Sequence, residues 1–274
     1  MSALPRVHAV TDDRVVALGD LLERAAAMAR AAGPELAVHL RARALDGRAL
    51  LALAVQLREV TAAAGAWLVV NGRADVAAAV DADAVLSGRD GLGVADMARV
   101  APGRRYARSV HDLAEAQAAL TERADFLVAG AVFATASHPD RAPAGVDFVR
   151  RAAALGTPVI AIGGITPGTA PALPTAGAWG VAAIRALWDA ADPAAAARAF
   201  LAAAVPDRVR VSVNGDPREM TRGGSLADLL AQLGVDARAV VVEHNRRIVR
   251  RESLAATGVA AGDQIELVHF VGGG

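Results

Sequence analysis

The 274-residue chain has no cysteine and no lysine, so its 29 basic side chains are all arginine. Without thiols it can have no disulfide, thiolate metal site, iron–sulfur cluster or cysteine nucleophile. Without lysine it can form no Schiff base and has neither a lysine general base nor a lysine-type Walker phosphate loop. Aromatic residues are scarce, at 3%. Charge of either sign is balanced to a net +0, so no nucleic-acid or anionic-membrane footprint stands out. Arg, Asp or Glu interrupts the apolar runs every few residues, which argues against a membrane span. The opening MSALPRVHAV lacks an extended apolar leader, and the cytoplasm is the expected location.

What is present is apolar and alternating. At 54% hydrophobic, the chain can bury the core of one α/β barrel or of two ordinary domains. Short β-rich runs fall at 7–11, 36–41, 67–71, 84–88, 105–111, 126–132, 158–164 and 179–185. Between them, 18–32, 47–64, 112–124, 146–155 and 193–204 place apolar residues at helical spacing, with Arg and Glu on the other face. About eight strand–helix repeats predict a (β/α)8 TIM barrel over residues 1–204. A doubly wound sheet is the alternative, but no GxGxxG follows the first strand.

The pattern changes near Val205-Pro206-Asp207. Residues 208–214 alternate Arg and Val and lead into Asn214-Gly215, a strong hairpin signal, with a second arm at 216–220. Ser225 can cap a helix over 226–233 that Gly234 ends, and β-rich runs follow at 239–245 and 264–271. Hairpin, helix and returning strands predict a small α+β unit of β-grasp, ubiquitin-like order over residues 207–274. It ends in Gly272-Gly273-Gly274; terminal glycines often just mark a loose end, but on a β-grasp unit such a tail is thin enough to thread an enzyme channel and have its carboxylate adenylated.

In a TIM barrel the active site lies at the carboxyl ends of the strands. Alternation of inward and outward residues puts His39 and Arg41 on one face of the second strand. Ala107, Ser109 and His111 share a face of the fifth, Asn71 ends the third, and Arg185 ends the eighth. Gly163-Gly164, with the segment from Gly180 to Arg185, fits the phosphate site that barrels build after their last two strands. Backbone N–H groups can approach phosphate oxygens there, and Arg185 can add a bidentate contact. The plainer reading of Gly163-Gly164 is a tight strand-to-helix turn.

Val7-His8-Ala9-Val10-Thr11-Asp12-Asp13, the segments from Arg105 to His111 and from Val128 to Phe133, and the run from Pro158 to Ile165 resemble the thiamine-phosphate synthase/TenI superfamily. Val213-Asn214-Gly215, Ser225-Leu226-Ala227-Asp228-Leu229-Leu230, Gly262-Asp263 and the final glycines resemble the sulfur carrier ThiS. The resemblance implies thiamine biosynthesis and offers two activities for the barrel. Synthases join a pyrimidine diphosphate to a thiazole phosphate with Mg²⁺. Their Asn-Asp-Arg is here Asn71-Gly72-Arg73, and their Gly-Gln-x-Asp is Gly88-Arg89-Asp90-Gly91. Two of their lysines become Arg43 and His138. The other branch, the thiazole tautomerases, moves a proton and needs no metal.

These departures make an isomerase the expected activity, with no cofactor and no metal site. The resemblance then implies that His111 is the acid/base group and that Arg41, with Ser109 and Asn71, binds the substrate. Gly163, Gly164, Ile184 and Arg185 would hold its phosphate, and Gly273 and Gly274 would carry sulfur as a thiocarboxylate. The implied partners are thiazole synthase, a ThiF-like ATP-dependent adenylating enzyme and the thiazole phosphate itself, with a homo-oligomer compatible. The alternatives are a thiamine-phosphate synthase and a non-catalytic barrel that docks its own carrier.

Overall fold

The computed structural model describes residues 3–135, 142–205 and 208–269. The chain divides into two compact units, 1–205 and 206–274. The first is a closed parallel barrel of eight strands in sequential order. They are β1 (Val7–Val10), β2 (Leu36–Leu40), β3 (Trp67–Asn71), β4 (Ala84–Ser87), β5 (Arg105–Val110), β6 (Phe126–Gly130), β7 (Val159–Ile162) and β8 (Gly180–Ala183). β8 pairs back onto β1, with Val7 opposite Val181, so the sheet has no open edge.

Alternation along the strands divides the apolar side chains into two layers. Val7, Val38, Leu40, Leu68, Val70, Leu127 and Val159 pack outward, in one core with Met28, Leu57, Phe148 and Phe200. Val10, Trp67, Val69, Leu86, Phe126, Val128 and Ile160 fill the barrel interior. The long helices Leu21–Ala32, Gly47–Ala63, Leu113–Thr121, Gly145–Ala153 and Pro193–Ala204 match the predicted stretches to within about a turn. Asp46, Asp112 and Asp192 cap three of them, each carboxylate accepting the N–H of the residue three positions on. Such a cap contributes about 1 kcal/mol.

At the amino ends of the strands the barrel is tied shut. Asp83 accepts from Arg58 at 2.6 Å and from the N–H of Leu68 at 2.8 Å. Asp125 accepts from Arg105 at 3.1 Å and from the N–H of Tyr106 at 2.7 Å. Arg6 stacks 4.3 Å over the Trp179 ring, and the indole donates to the Leu4 carbonyl at 2.9 Å. Ionic and cation–π contacts thus consolidate this end, and Asn71 and His111 stand at the carboxyl ends of β3 and β5.

The second unit is a five-stranded sheet built from β9 (Arg208–Val213), β10 (Asp216–Thr221), β11 (Val240–His244), β12 (Arg247–Val249) and β13 (Gln264–His269). Their order is β10-β9-β13-β11-β12, with β13 parallel to β9. The helix Leu226–Leu233 packs Leu226, Leu229 and Leu230 against Val209, Val211, Val213, Val242 and Ile265. Ser225 and Asp228 form its capping box and Gly234, at φ +68°, ends it. Asn214 and Gly215 both have positive φ in the hairpin. The Asn214 side chain also accepts from Leu267 N–H at 2.7 Å, which fastens the hairpin to β13.

Candidate functional site

A polar line crosses the barrel interior from β1 to the end of β3. His8 and His39 are both 0% exposed. In register, His8 lies level with Ala37 and His39 level with Val10 and Val69, so each step moves toward the carboxyl ends. His8 Nε2 meets the Pro5 carbonyl at 3.0 Å, and His8 Nδ1 meets His39 Nε2 at 2.8 Å. His39 Nδ1 meets the Asn71 side-chain amide at 3.3 Å. Burial lowers the His8 pKa from 6.5 to about 4, the Pro5 bond offsetting part of the shift. Burial, and then the neighbouring His8, holds His39 well below its usual value. Both rings are therefore neutral at pH 7.

Arg41 follows β2 and is half-buried. Its backbone is clamped to the end of β1: its N–H donates to Thr11 Oγ1 at 2.8 Å and its carbonyl accepts from that hydroxyl at 3.0 Å. Burial, with Arg43 beside it, lowers the Arg41 pKa, although a guanidinium stays charged at neutral pH. Asp13 holds the next turn by accepting from the N–H groups of Arg43 and Ala44 at 2.6 and 2.9 Å. Two arginines are thus fixed by their backbones at one side of the barrel mouth.

His111 follows β5 directly. Its Nδ1 lies 3.0 Å from Glu115 Oε2, which also accepts the His111 N–H at 2.8 Å. Asp112 caps the helix that carries Glu115, and the other Glu115 oxygen pairs with Arg89. Sequence reasoning missed Glu115, although an i, i+4 spacing from His111 across a cap is a readable signal. It also missed His8, which the inward parity of β1 marks. Ser109 is part-exposed in β5, on the inward parity shared with Ala107.

Gly163 and Gly164 follow β7 at φ +104° and +65°. A Cβ on Gly163 would lie 2.5 Å from Ala131 Cβ, and one on Gly164 would strike the Ala134 carbonyl and the Phe133 side chain. The segment 131–134 packs onto this turn, so chain geometry requires both glycines whatever binds there. Ile184 is part-buried and Arg185 is exposed at the start of a short helix after β8. His138, Gly273 and Gly274 lie outside the described residues.

Residues 7–187 match the family described as thiamine monophosphate synthase. The chain belongs to that family. Residues 211–274 match the ThiS family, which makes the second unit a ThiS-type β-grasp domain. The chain is 39% identical over 198 residues to the thiamine-phosphate synthase of Roseiflexus castenholzii, covering 71% of this chain and 86% of that protein. It is also 39% identical over 196 residues to that of Methanoculleus marisnigri, covering 70% and 92%. Among solved structures, the thiamine phosphate pyrophosphorylase from Pyrococcus furiosus superposes with a TM-score of 0.65 at 28% identity, over 73% of this chain and 95% of that one.

These relatives correct the expected isomerase. The curated relatives are named synthases, which are transferases, and the likeness extends through the whole barrel. The isomerase reading rested on a few rim positions. One of them, Arg43, keeps the positive charge of the lysine it replaces. Thiamine biosynthesis stands as the family's context. Among the described residues, no helix is long and apolar enough to cross a membrane.

The synthase resemblance implies Mg²⁺ held by carboxylates after β3 and β4, and the donors here do not fit that ion. Gly72 and Gly91, at the positions of the two aspartates, have no side chains, and the nearby Arg89 guanidinium is paired with Glu115. Among the described residues no three His, Cys, Asp or Glu side chains are placed to hold a metal, whereas Mg²⁺ takes oxygen ligands, usually including one or two carboxylates.

Proposed function

We propose that the barrel is a thiamine-phosphate synthase with an altered pyrophosphate site, and that its C-terminal domain carries sulfur as a thiocarboxylate on Gly274. The observation that carries the first part is the identity to named synthases over nearly their full length. In the coupling, the bond between the pyrimidine methylene carbon and the diphosphate oxygen breaks, its electron pair leaving on oxygen. The thiazole nitrogen supplies the pair for the new carbon–nitrogen bond. Negative charge grows on the departing pyrophosphate, and fixed cations there lower the barrier. Arg41 and Arg43, with backbones held by Thr11 and Asp13, supply that charge. Asn71, Ser109 and His111 line the mouth beside the reacting rings. Gly163, Gly164, Ile184 and Arg185 take the thiazole phosphate at the ends of β7 and β8.

Arg41→Ala in the purified full chain should lower kcat/KM for the pyrimidine diphosphate by tenfold or more, with thiamine phosphate as the readout. An unchanged rate removes Arg41 from the site. The carrier is tested separately, by intact mass after incubation with ATP, a ThiF-like adenylating enzyme and a sulfur source. One oxygen-to-sulfur exchange is expected, and none in a chain truncated before Gly273. Thiazole synthase is the proposed acceptor of that sulfur. Tethering raises the effective concentration of one unit near the other's partners.

A second reading, a non-catalytic barrel that docks its own carrier, is favoured by one observation: Gly72 and Gly91 stand where the resemblance places carboxylate ligands. It predicts a normal carrier mass shift and no coupling with or without Mg²⁺.

A further inference from the structure

We propose that His8, His39 and Asn71 form a one-way, uncharged hydrogen-bond chain that fixes the Asn71 carboxamide, turning its oxygen away from His39 as an acceptor for a ligand N–H. The polarity follows from the donors available. The Pro5 carbonyl can only accept, so His8 donates from Nε2 and its Nδ1 holds a lone pair. His39 Nε2, 2.8 Å from that lone pair, must then be its donor. If His39 is neutral, its Nδ1 is an acceptor and must receive a proton from Asn71. The Asn71 atom 3.3 Å away is Oδ1, which would set two acceptors against each other. A half-turn of the carboxamide brings Nδ2 to the same place and resolves the conflict.

The alternative is a doubly protonated His39 donating to Asn71 Oδ1. That would bury a cation in a ring with 0% exposure, and the charges acting on His8 and His39 include no carboxylate to offset it. An uncompensated buried charge costs several kcal/mol. A carboxamide turn costs far less.

His8 and His39 are then positioning residues that act through Asn71. The chain begins in the closed amino-terminal half of the barrel and ends at part-exposed Asn71, the last residue of β3. An acceptor oxygen there takes an N–H group, as on an amino-substituted heterocycle, and repels a phosphate oxygen. The ligand class rests on the coupling reaction proposed above, but the polarity of the chain does not.

Full-length protein with ¹⁵N-labelled histidine tests the chain by NMR at pH 7. The expected result is two neutral rings, His8 and His39, each protonated at Nε2 and bare at Nδ1. Asn71→Asp replaces the donor with a carboxylate, so His39 should gain a second proton and read as an imidazolium at the same pH. Asn71→Ser, a neutral group that can still donate, should restore the wild-type pattern. Adding inorganic pyrophosphate to wild type should leave the His39 tautomer unchanged. The proposal is overturned by a His39 imidazolium or an Nδ1–H tautomer in wild type, by a neutral His39 in Asn71→Asp, or by a tautomer switch on adding pyrophosphate. None of these readouts depends on turnover.

Discussion

The two units hold histidine in opposite ways. In the barrel, His8 and His39 bond to each other, to a carbonyl and to an amide, with no counter-charge. In the β-grasp unit, His244 Nε2 lies 2.7 Å from Asp263 Oδ2. Burial alone would raise the Asp263 pKa, but hydrogen bonds from Ala260 N–H, Asn245 and His244 lower it on balance. The closed barrel interior gives its two rings only neutral partners, whereas part-buried His244 of the small sheet meets a carboxylate. The difference shows how each unit keeps its polar groups: the barrel's are neutral and directional, and the small domain gathers His244, Asn245 and Ala260 N–H around one carboxylate.

Acid should separate the units most strongly. In the barrel the folded pKa of His8 lies below the unfolded value, so the unfolded chain binds the proton first. Stability from this group is fully present above pH 6.5 and is lost as the pH falls toward about 4, by about 3 kcal/mol. His39 shifts the same way and adds to the loss. Asp263 has a lowered pKa, so its contribution persists until the pH falls below 3.8. Calorimetry between pH 7 and 4 should therefore show the barrel transition falling well before the β-grasp transition. Parallel movement of the two would break the comparison.

Substitutions should then act on one unit at a time. Gly180→Ala places a Cβ 2.5 Å from the Arg6 carbonyl at the β8–β1 seam and should destabilise the barrel alone by about 2 kcal/mol, read as a lower barrel Tm. Ser225→Ala removes the cap of the helix Leu226–Leu233 and should cost the β-grasp unit about 1 kcal/mol by urea denaturation. Arg246→Gly relieves a positive φ of +66° and should stabilise that unit by about 0.5 kcal/mol. If any of the three shifts the other unit's transition equally, the units are not independent.

Much of the barrel was legible because its strands are continuous apolar runs and its long helices span several turns. The short helices Asp13–Val16, Ala74–Ala79, Val94–Val100, Ala172–Thr175 and Arg185–Trp188 are hidden, because two turns or fewer carry little periodicity. β12 escapes for a different reason: its hairpin turns on Asn245-Arg246, both at positive φ, with no glycine to announce it. At the site, parity puts His39, Asn71 and Ser109 on the inward face, and His39 does bond to Asn71. The reaction class was misread because four altered rim residues outweighed a likeness spread through the barrel. The need for Gly163 and Gly164 comes from segment 131–134 packing on them, a long-range contact that local sequence does not reveal.

The most direct test of the account is a ³¹P NMR time course of the purified chain with the pyrimidine diphosphate, the thiazole phosphate and Mg²⁺. Pyrophosphate and thiamine phosphate should appear in equal amounts as the diphosphate signals disappear. Unchanged diphosphate signals, from a chain whose barrel is folded, would contradict the account.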